Sequence, residues 1–322
     1  MCTAIGLCLN DRFFGRNLDL DRHFGEFLVL TPRKHCIPLR NGTKLSTRYA
    51  MLGMAAVEDR FPLYAEAINE KGLAMAGLNF LKNAVFSNQF AKDRSNIATF
   101  ELIPWVLGQA DDLIAAKTLL KELNLCNTAF RNDLLPAQLH WFITDGADSL
   151  VLESTQKGLR IYENPFCVLT NNPPFPYQAV TAISLLGLKN EPLAQRVSES
   201  LGFSFESLGR ETLGVPGDYS SSARFARAVW LTQRAVPLAS AHANLATCFQ
   251  ILSSVAPIHG SVCDLAENEH YTLYSVAANL TKGEFYWRGA DSPFVTSVTF
   301  SELDFDGNLL TVLDPKQLQR SC

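Results

Sequence analysis

The residue that could do the most chemistry in this chain is Cys2, which follows Met1 in the stretch MCTAIG. Cysteine is small enough to allow removal of a leading methionine, so Cys2 is expected to become the mature N-terminus. A terminal cysteine carries a thiol and a free α-amine within a few bonds. That amine titrates near pH ~8, so its neutral form is available as a general base. Nucleophile and base then belong to one residue. Position alone does not establish this, because a cysteine at position 2 is incidental in most chains. A thiol of ordinary pKa, near ~8.5, also needs positive charge beside it to ionise at neutral pH.

Arg16 and Asp19, in FGRNLDL, supply an arginine and a carboxylate on the strand expected to pair with the first one. They are three residues apart, so strict alternation puts them on opposite faces. A local bulge would be needed to aim both at Cys2; from spacing alone a surface ion pair is the simpler reading. Acyl transfer also needs donors for an oxyanion, typically a backbone N–H and an asparagine amide. Asn79 in AGLNF and Asn171 in VLTNNP end apolar runs and could serve. Asparagine at a strand end is usually only turn chemistry.

These residues sit on a readable set of elements. CTAIGLCL and RFFGRNLDL flank Asn10-Asp11 as a hairpin, FLVLTPR is a strand, and PLYAEAIN and LAMAGLNF form a second hairpin around Gly72. Its small residues, Ala65, Ala67, Ala74, Ala76 and Gly77, point to close sheet packing or backbone approach to a ligand. TFELIPWVLGQADDLIAAKTLLKELN has helical periodicity broken near Gly108, with Thr99 as the expected N-cap and Pro104 near the start. Strands return in LHWFITDGADSLVLES, turning at Asp145-Gly146, and continue through GLRIYENPFCVLTNNPPF. Residues 185–215 read as an excursion on a single domain spanning 1–322. SSSARFARAVWLTQRAV and ANLATCFQILSSV are helices, and YTLYSVAANLTKGEFYWRG and FVTSVTF close the chain as strands. Strands, helices, strands, helices, strands, with hairpins dominant, is the pattern of a layered α+β domain.

Composition excludes several classes. The 322 residues are 47% hydrophobic and 19% charged with a formal charge of -4, which gives a core and no basic face for nucleic acid or anionic membrane. The start reaches charge by Asp11 without a basic n-region or a long apolar run, so a cytoplasmic protein is expected, with no membrane span. Eight cysteines and six histidines are dispersed, without C-x-x-C or metal-ligand spacing, and no Gly-rich phosphate loop is present. Neither metal nor cofactor is expected.

Seven stretches together resemble the choloylglycine hydrolase family of N-terminal-nucleophile hydrolases, which includes bile salt hydrolases and penicillin V acylases. They are MCTAI, FGRNLDLD (14–21), AINEKGLAMAGLNF (67–80), FELIPWVLGQ (100–109), LHWFITD (139–145), VLTNNP (168–173) and GVPGDYSSSARF (214–225). The resemblance implies a four-layer αββα sandwich of two stacked antiparallel sheets. It implies Cys2 as nucleophile with its own amine as base, Asp19 holding the amine and Arg16 near the sulfur. Asn79 through its backbone N–H and Asn171 through its side chain would bind the oxyanion, and Arg224, in SSSARF, matches a further site arginine. It also implies a homo-oligomer, a tetramer in many members, with the 185–215 excursion in its contacts.

The same resemblance bears on substrate. GLNF, with Asn at 79, looks like the bile salt hydrolase version, where penicillin acylases often carry tyrosine. The implied substrate is a glycine- or taurine-conjugated bile acid. Penicillin V or an N-acyl homoserine lactone under the same mechanism is the alternative, and an inactive steroid- or acyl-binding scaffold is the non-enzymatic one. Leu18, Ala65, Phe130 and Leu134 match the family's hydrophobic acyl pocket, although residue type alone would make Leu18, Ala65 and Leu134 ordinary core. Glu58 departs from an apolar wall position, where a carboxylate is unwelcome unless it faces solvent. ESLGRET before GVPGD and FYWRGADSPF near the end also depart from the family pattern.

Overall fold

A computed structural model describes residues 1–186, 199–200, 202, 216–264, 266–313 and 319–321. The excursion expected at 185–215 lies largely outside the described residues. The first strands are β1 (Cys2–Cys8), β2 (Arg12–Leu20), β3 (Phe27–Thr31), β4 (Cys36–Pro38), β5 (Lys44–Ser46), β6 (Met51–Glu58), β7 (Phe61–Asn69), β8 (Ala74–Asn79) and β9 (Ser95–Ala98). Then come β10 (Leu123–Cys126), β11 (Leu139–Thr144), β12 (Ser149–Thr155), β13 (Gly158–Glu163) and β14 (Val168–Leu169). The last are β15 (Tyr271–Asn279), β16 (Glu284–Gly289), β17 (Val295–Thr299), β18 (Thr311–Leu313) and β19 (Gln319–Ser321). Helices are α1 (Leu102–Leu107), α2 (Leu113–Lys121), α3 (Phe175–Leu186), α4 (Ser221–Thr232) and α5 (Ala241–Ser254).

Two large antiparallel sheets form. One runs β14-β1-β2-β15-β16-β17-β19, the other β13-β12-β11-β8-β7-β6-β3-β18. Helix α4 packs on β1 and β14, and α5 on β2 and β15, while α1 packs on β7 and β8 and α2 on β12. Each sheet is therefore covered by helices on one face and by the other sheet on its other face. The result is the αββα order of layers. Strand β2 is buried on both faces over Phe13–Asp19, so Arg16, Asn17 and Asp19 are carried into the interior along with Phe13, Phe14 and Leu18.

Two apolar clusters fill the spaces. One holds inward residues of both sheets (Cys2, Leu18, Met54, Ile68, Leu78) and continues under α4 and α5. The other, with Met51, Ala67, Met75 and Trp141, fills the space between the eight-stranded sheet and α1.

Most of the expected elements form as read, including both hairpins and the break at Gly108, which follows α1 directly. Thr99 is not an N-cap: it lies inside a 3-10 turn, Thr99–Glu101, that begins after Ala98. Glu101 accepts the Ala98 N–H at 2.8 Å and the Arg40 N–H at 2.6 Å, so the carboxylate rather than a hydroxyl closes this helix start. Helix α2 is capped by Asp112, whose Oδ1 accepts from the Ala115 N–H at 2.7 Å. It stops at Lys121, and LNLC forms β10, pairing in parallel with β9. Among the described residues no helix is long and apolar enough to cross a membrane, and no group of three or more His, Cys, Asp or Glu is placed to hold a metal.

Candidate active site

Cys2 opens β1, between β2 and β14. The β1–β2 register is unbroken from Cys2↔Leu18 to Cys8↔Arg12. Opposed residues in an antiparallel pair share a face. Cys2, Leu18 and Arg16 therefore look inward, toward the second sheet, while Thr3 and Asp19 look outward, toward α4. The bulge expected to aim Arg16 and Asp19 at one point is absent from β2. They lie on opposite faces, Arg16 beside the thiol and Asp19 beside Arg224, which donates to the Cys2 carbonyl. Nor are they a surface ion pair, since Arg16 is 1% exposed and Asp19 0%.

On the inward face, Arg16 Nη2 donates to Cys2 Sγ at 3.6 Å and to the Gly77 carbonyl at 2.7 Å. A Cβ at Gly77 would come 3.0 Å from Leu139 Cδ1 and 3.4 Å from Trp141 Nε1, so these side chains pack close against its backbone. Arg16 Nη1 is ion-paired with buried Glu66. Glu66 in turn accepts from the Tyr274 hydroxyl, at 3.0 Å on Oε1 and 3.2 Å on Oε2. Burial pushes the Tyr274 hydroxyl pKa far above its ordinary value, so it stays a donor.

On the outward face, Asp19 Oδ1 accepts from Thr272 Oγ1 at 2.7 Å, and Oδ2 is buried without a hydrogen bond, 3.8 Å from Arg224 Nη1. The Asp19 backbone N–H and C=O bond to Met1 at 3.0 and 2.6 Å, so Met1 continues the β1–β2 ladder. Arg224 lies one turn into α4, whose N-cap is Ser220. Its Nη1 donates to the Cys2 carbonyl and to Thr3 Oγ1, both at 2.6 Å, and Nη2 donates to Asn171 Oδ1 at 2.8 Å. Burial lowers the Arg224 pKa, against which the charges of Asp19 and Cys2 raise it.

Asn171 joins the two faces. It follows β14, which pairs with β1 through Ala4↔Leu169. Its N–H donates to Ser221 Oγ at 2.9 Å, fixing it to the start of α4. Its Oδ1 accepts from the Cys2 N–H at 2.7 Å and from Arg224, and its Nδ2 donates to the Asn79 carbonyl at 2.9 Å. Two donors on one side and a carbonyl on the other leave a single consistent orientation of the amide. Nδ2 carries two hydrogens, and one of them remains for a ligand oxygen beside Asn79.

The six polar residues singled out in the sequence thus converge, with Cys2 and Asn171 at the centre. The apolar four do not all follow. Leu18 is in the Cys2 cluster, and Ala65 is half-buried on β7. Phe130 and Leu134 belong to the other cluster, where Phe130 packs edge-on against Phe61 and Phe100 beneath Arg40. Glu58 is partly exposed and pairs with Arg131 at 2.6 Å, so its charge is answered at the surface.

Three residues of the network were not anticipated: Glu66, Tyr274 and Thr272. A lone carboxylate in the alanine-rich strand PLYAEAIN was the available signal for Glu66. Simple alternation would put Glu66 on the face of Tyr64. The register shifts at Ala65, however, so that Met54 faces Glu66 while Ala55 faces Tyr64.

Comparison with known proteins follows this geometry. A family model for linear amide C–N hydrolases, choloylglycine hydrolase family, matches residues 2–313. A bile salt hydrolase/transferase of Lactiplantibacillus plantarum is 37% identical over 307 residues, covering 95% of this chain and 94% of that protein. A mutant conjugated bile acid hydrolase from Clostridium perfringens, known as a crystal structure, shares 27% identity. It superposes with a TM-score of 0.83 over 98% of this chain and 97% of its own. The penicillin V acylase of Agrobacterium tumefaciens superposes with a TM-score of 0.76 over 100% and 98%, at 16% identity, a likeness of fold alone.

Proposed function

The chain belongs to the choloylglycine hydrolase family of linear amide C–N hydrolases and has its Ntn-hydrolase-like fold, and from that premise we propose that it cleaves the amide of glycine- or taurine-conjugated bile acids through an acyl-enzyme on Cys2. The observation that carries the proposal is the Asn171 amide. It touches both the Cys2 nitrogen and the Asn79 carbonyl, and so ties the reacting residue to the place where an oxyanion would form.

Loss of Met1 turns the Cys2 amide nitrogen into a free amine. The thiol proton passes to this amine, and the sulfur attacks the substrate carbonyl carbon. The resulting oxyanion takes hydrogen bonds from the Asn79 N–H and the remaining Asn171 Nδ2 hydrogen. Collapse breaks the C–N bond, and the departing glycine or taurine nitrogen receives the proton from the ammonium. Water, deprotonated by the same amine, then cleaves the thioester to free acid and thiol. Arg16 stabilises the sulfur's negative charge, Asp19 supplies the counter-charge for the ammonium, and Arg224 holds the Cys2 carbonyl and Asn171.

The named relatives and Asn79 in GLNF support this substrate. Purified protein should release glycine from glycocholate or taurine from taurocholate. Brisk cleavage of penicillin V with no release from either conjugate would overturn the substrate while sparing the mechanism. No turnover on any amide would leave the scaffold reading.

A further inference from the structure

We infer that Glu66, seated by Tyr274, is a positioning residue that holds the Arg16 guanidinium with Nη2 on the Cys2 sulfur. The inference rests on the reading of Cys2 as nucleophile and extends it to two residues on different sheets. A guanidinium is a rigid planar fork. With Nη1 on the Glu66 carboxylate and one Nη2 hydrogen on the Gly77 carbonyl, the other Nη2 hydrogen has only one direction left, toward Cys2 Sγ. Glu66 does not itself bond Cys2; it acts through Arg16.

Two irregularities of the sheets put these groups in place. The bulge at Ala65 sends Tyr64 into the outer cluster and turns Glu66 inward with Ile68. The bulge at Leu273 sets Thr272 opposite Asp19 and Tyr274 opposite Leu18, so one strand serves both faces of the site. Bulges next to a reacting group commonly re-aim side chains in this way. Gly53, opposite Ala67, permits the first of them, because a Cβ there would lie 2.0 Å from the Glu66 carbonyl oxygen. Stability alone does not call for this arrangement, since well-packed apolar residues in place of a buried ion pair are often neutral or better. Its distinguishing feature is the direction it imposes on Arg16.

The test is a mutant cycle with Glu66→Gln, Tyr274→Phe and Arg16→Lys, the last keeping the charge but not the fork. For each protein, kcat and KM are measured on the conjugated bile acid it cleaves, with the iodoacetamide labelling rate of Cys2 read by peptide mass. Glu66→Gln should lower kcat on the order of 10-fold or more with KM within about twofold, as loss of an outer orienting partner does. Tyr274→Phe should lower kcat several-fold, and in the Arg16→Lys background neither change should cost more than about twofold. Wild-type kcat in folded Glu66→Gln, or equal losses in both backgrounds, overturns the inference. Should Glu66→Gln fail to fold, Tyr274→Phe decides alone. If wild-type protein cleaves no amide, the functional reading fails, and the labelling cycle still judges the Glu66–Arg16 coupling.

Discussion

The two faces of β2 are built differently around one residue. On the inward face, beside the sulfur, Arg16 is ion-paired with Glu66 and donates to the Gly77 carbonyl and the thiol, Glu66 accepts from Tyr274, and Arg16 Nε is buried without a hydrogen bond. On the outward face it is a carboxylate oxygen that lacks a partner. Asp19 has one oxygen on Thr272 and the other buried with no hydrogen bond, 3.8 Å from Arg224. A buried, unsatisfied carboxylate oxygen is costly, of order 1–3 kcal/mol or more. The same edge carries Met1, bonded through its backbone to the Asp19 backbone. On the reading proposed for Cys2, the inward face meets the thiol, and the outward face would meet a charge that Cys2 acquires only when Met1 is gone.

Substitutions at and on either side of Cys2 can break this contrast. The largest effect is expected where the faces meet: Cys2→Ala should abolish turnover, a loss on the order of 10⁶-fold for a nucleophile of this kind, and Cys2→Ser nearly so. Full activity in either would remove the nucleophile. Next is the amine face, where Asp19→Asn should cost about 10²–10⁴-fold in kcat if the amine is the general base it holds. A kcat within a few-fold of wild type would show that the amine needs no counter-charge. Asn171→Ala, which touches both faces, should cost about 10²–10³-fold in kcat, the usual loss for one oxyanion donor. Thr272→Val removes the hydrogen bond that the Asp19 carboxylate accepts from Thr272 and should cost about 10-fold in kcat, in line with ~1–3 kcal/mol for an abandoned acceptor. The smallest is a null result. Cys248, buried on α5, has its thiol pKa pushed up to about 12 by burial. In native protein at pH 8 it should therefore resist alkylation while exposed Cys8, Cys36 and Cys263 react.

Much of this was legible in the sequence, and for physical reasons. Hairpin turns and helical periods are local, so the elements and the layered α+β class are readable from short stretches, while the αββα order of layers comes from the family resemblance. Cys2, Arg16, Asp19, Asn79, Asn171 and Arg224 could be singled out because buried polar residues stand out in apolar strands and because their stretches resemble a known family. Glu66, Tyr274 and Thr272 stayed hidden because their aim depends on bulges at Ala65 and Leu273. A bulge is a mismatch of register between two strands far apart in sequence, and neither strand announces it alone. The same limit explains Arg16 and Asp19. Alternation correctly put them on opposite faces, and the error lay in supposing that both must reach Cys2 from one side.

The central claim is that Cys2 acts as an N-terminal residue, with its own amine as base. Intact mass of the protein, taken on the same sample whose hydrolysis of glycocholate and taurocholate is measured, tests it most directly. The account predicts that active protein begins at Cys2, lighter than the full chain by one methionine, and that fractions retaining Met1 are inactive. Full activity in protein that still carries Met1 would contradict it, because the Cys2 nitrogen would then be an amide whose delocalised lone pair cannot take the thiol proton.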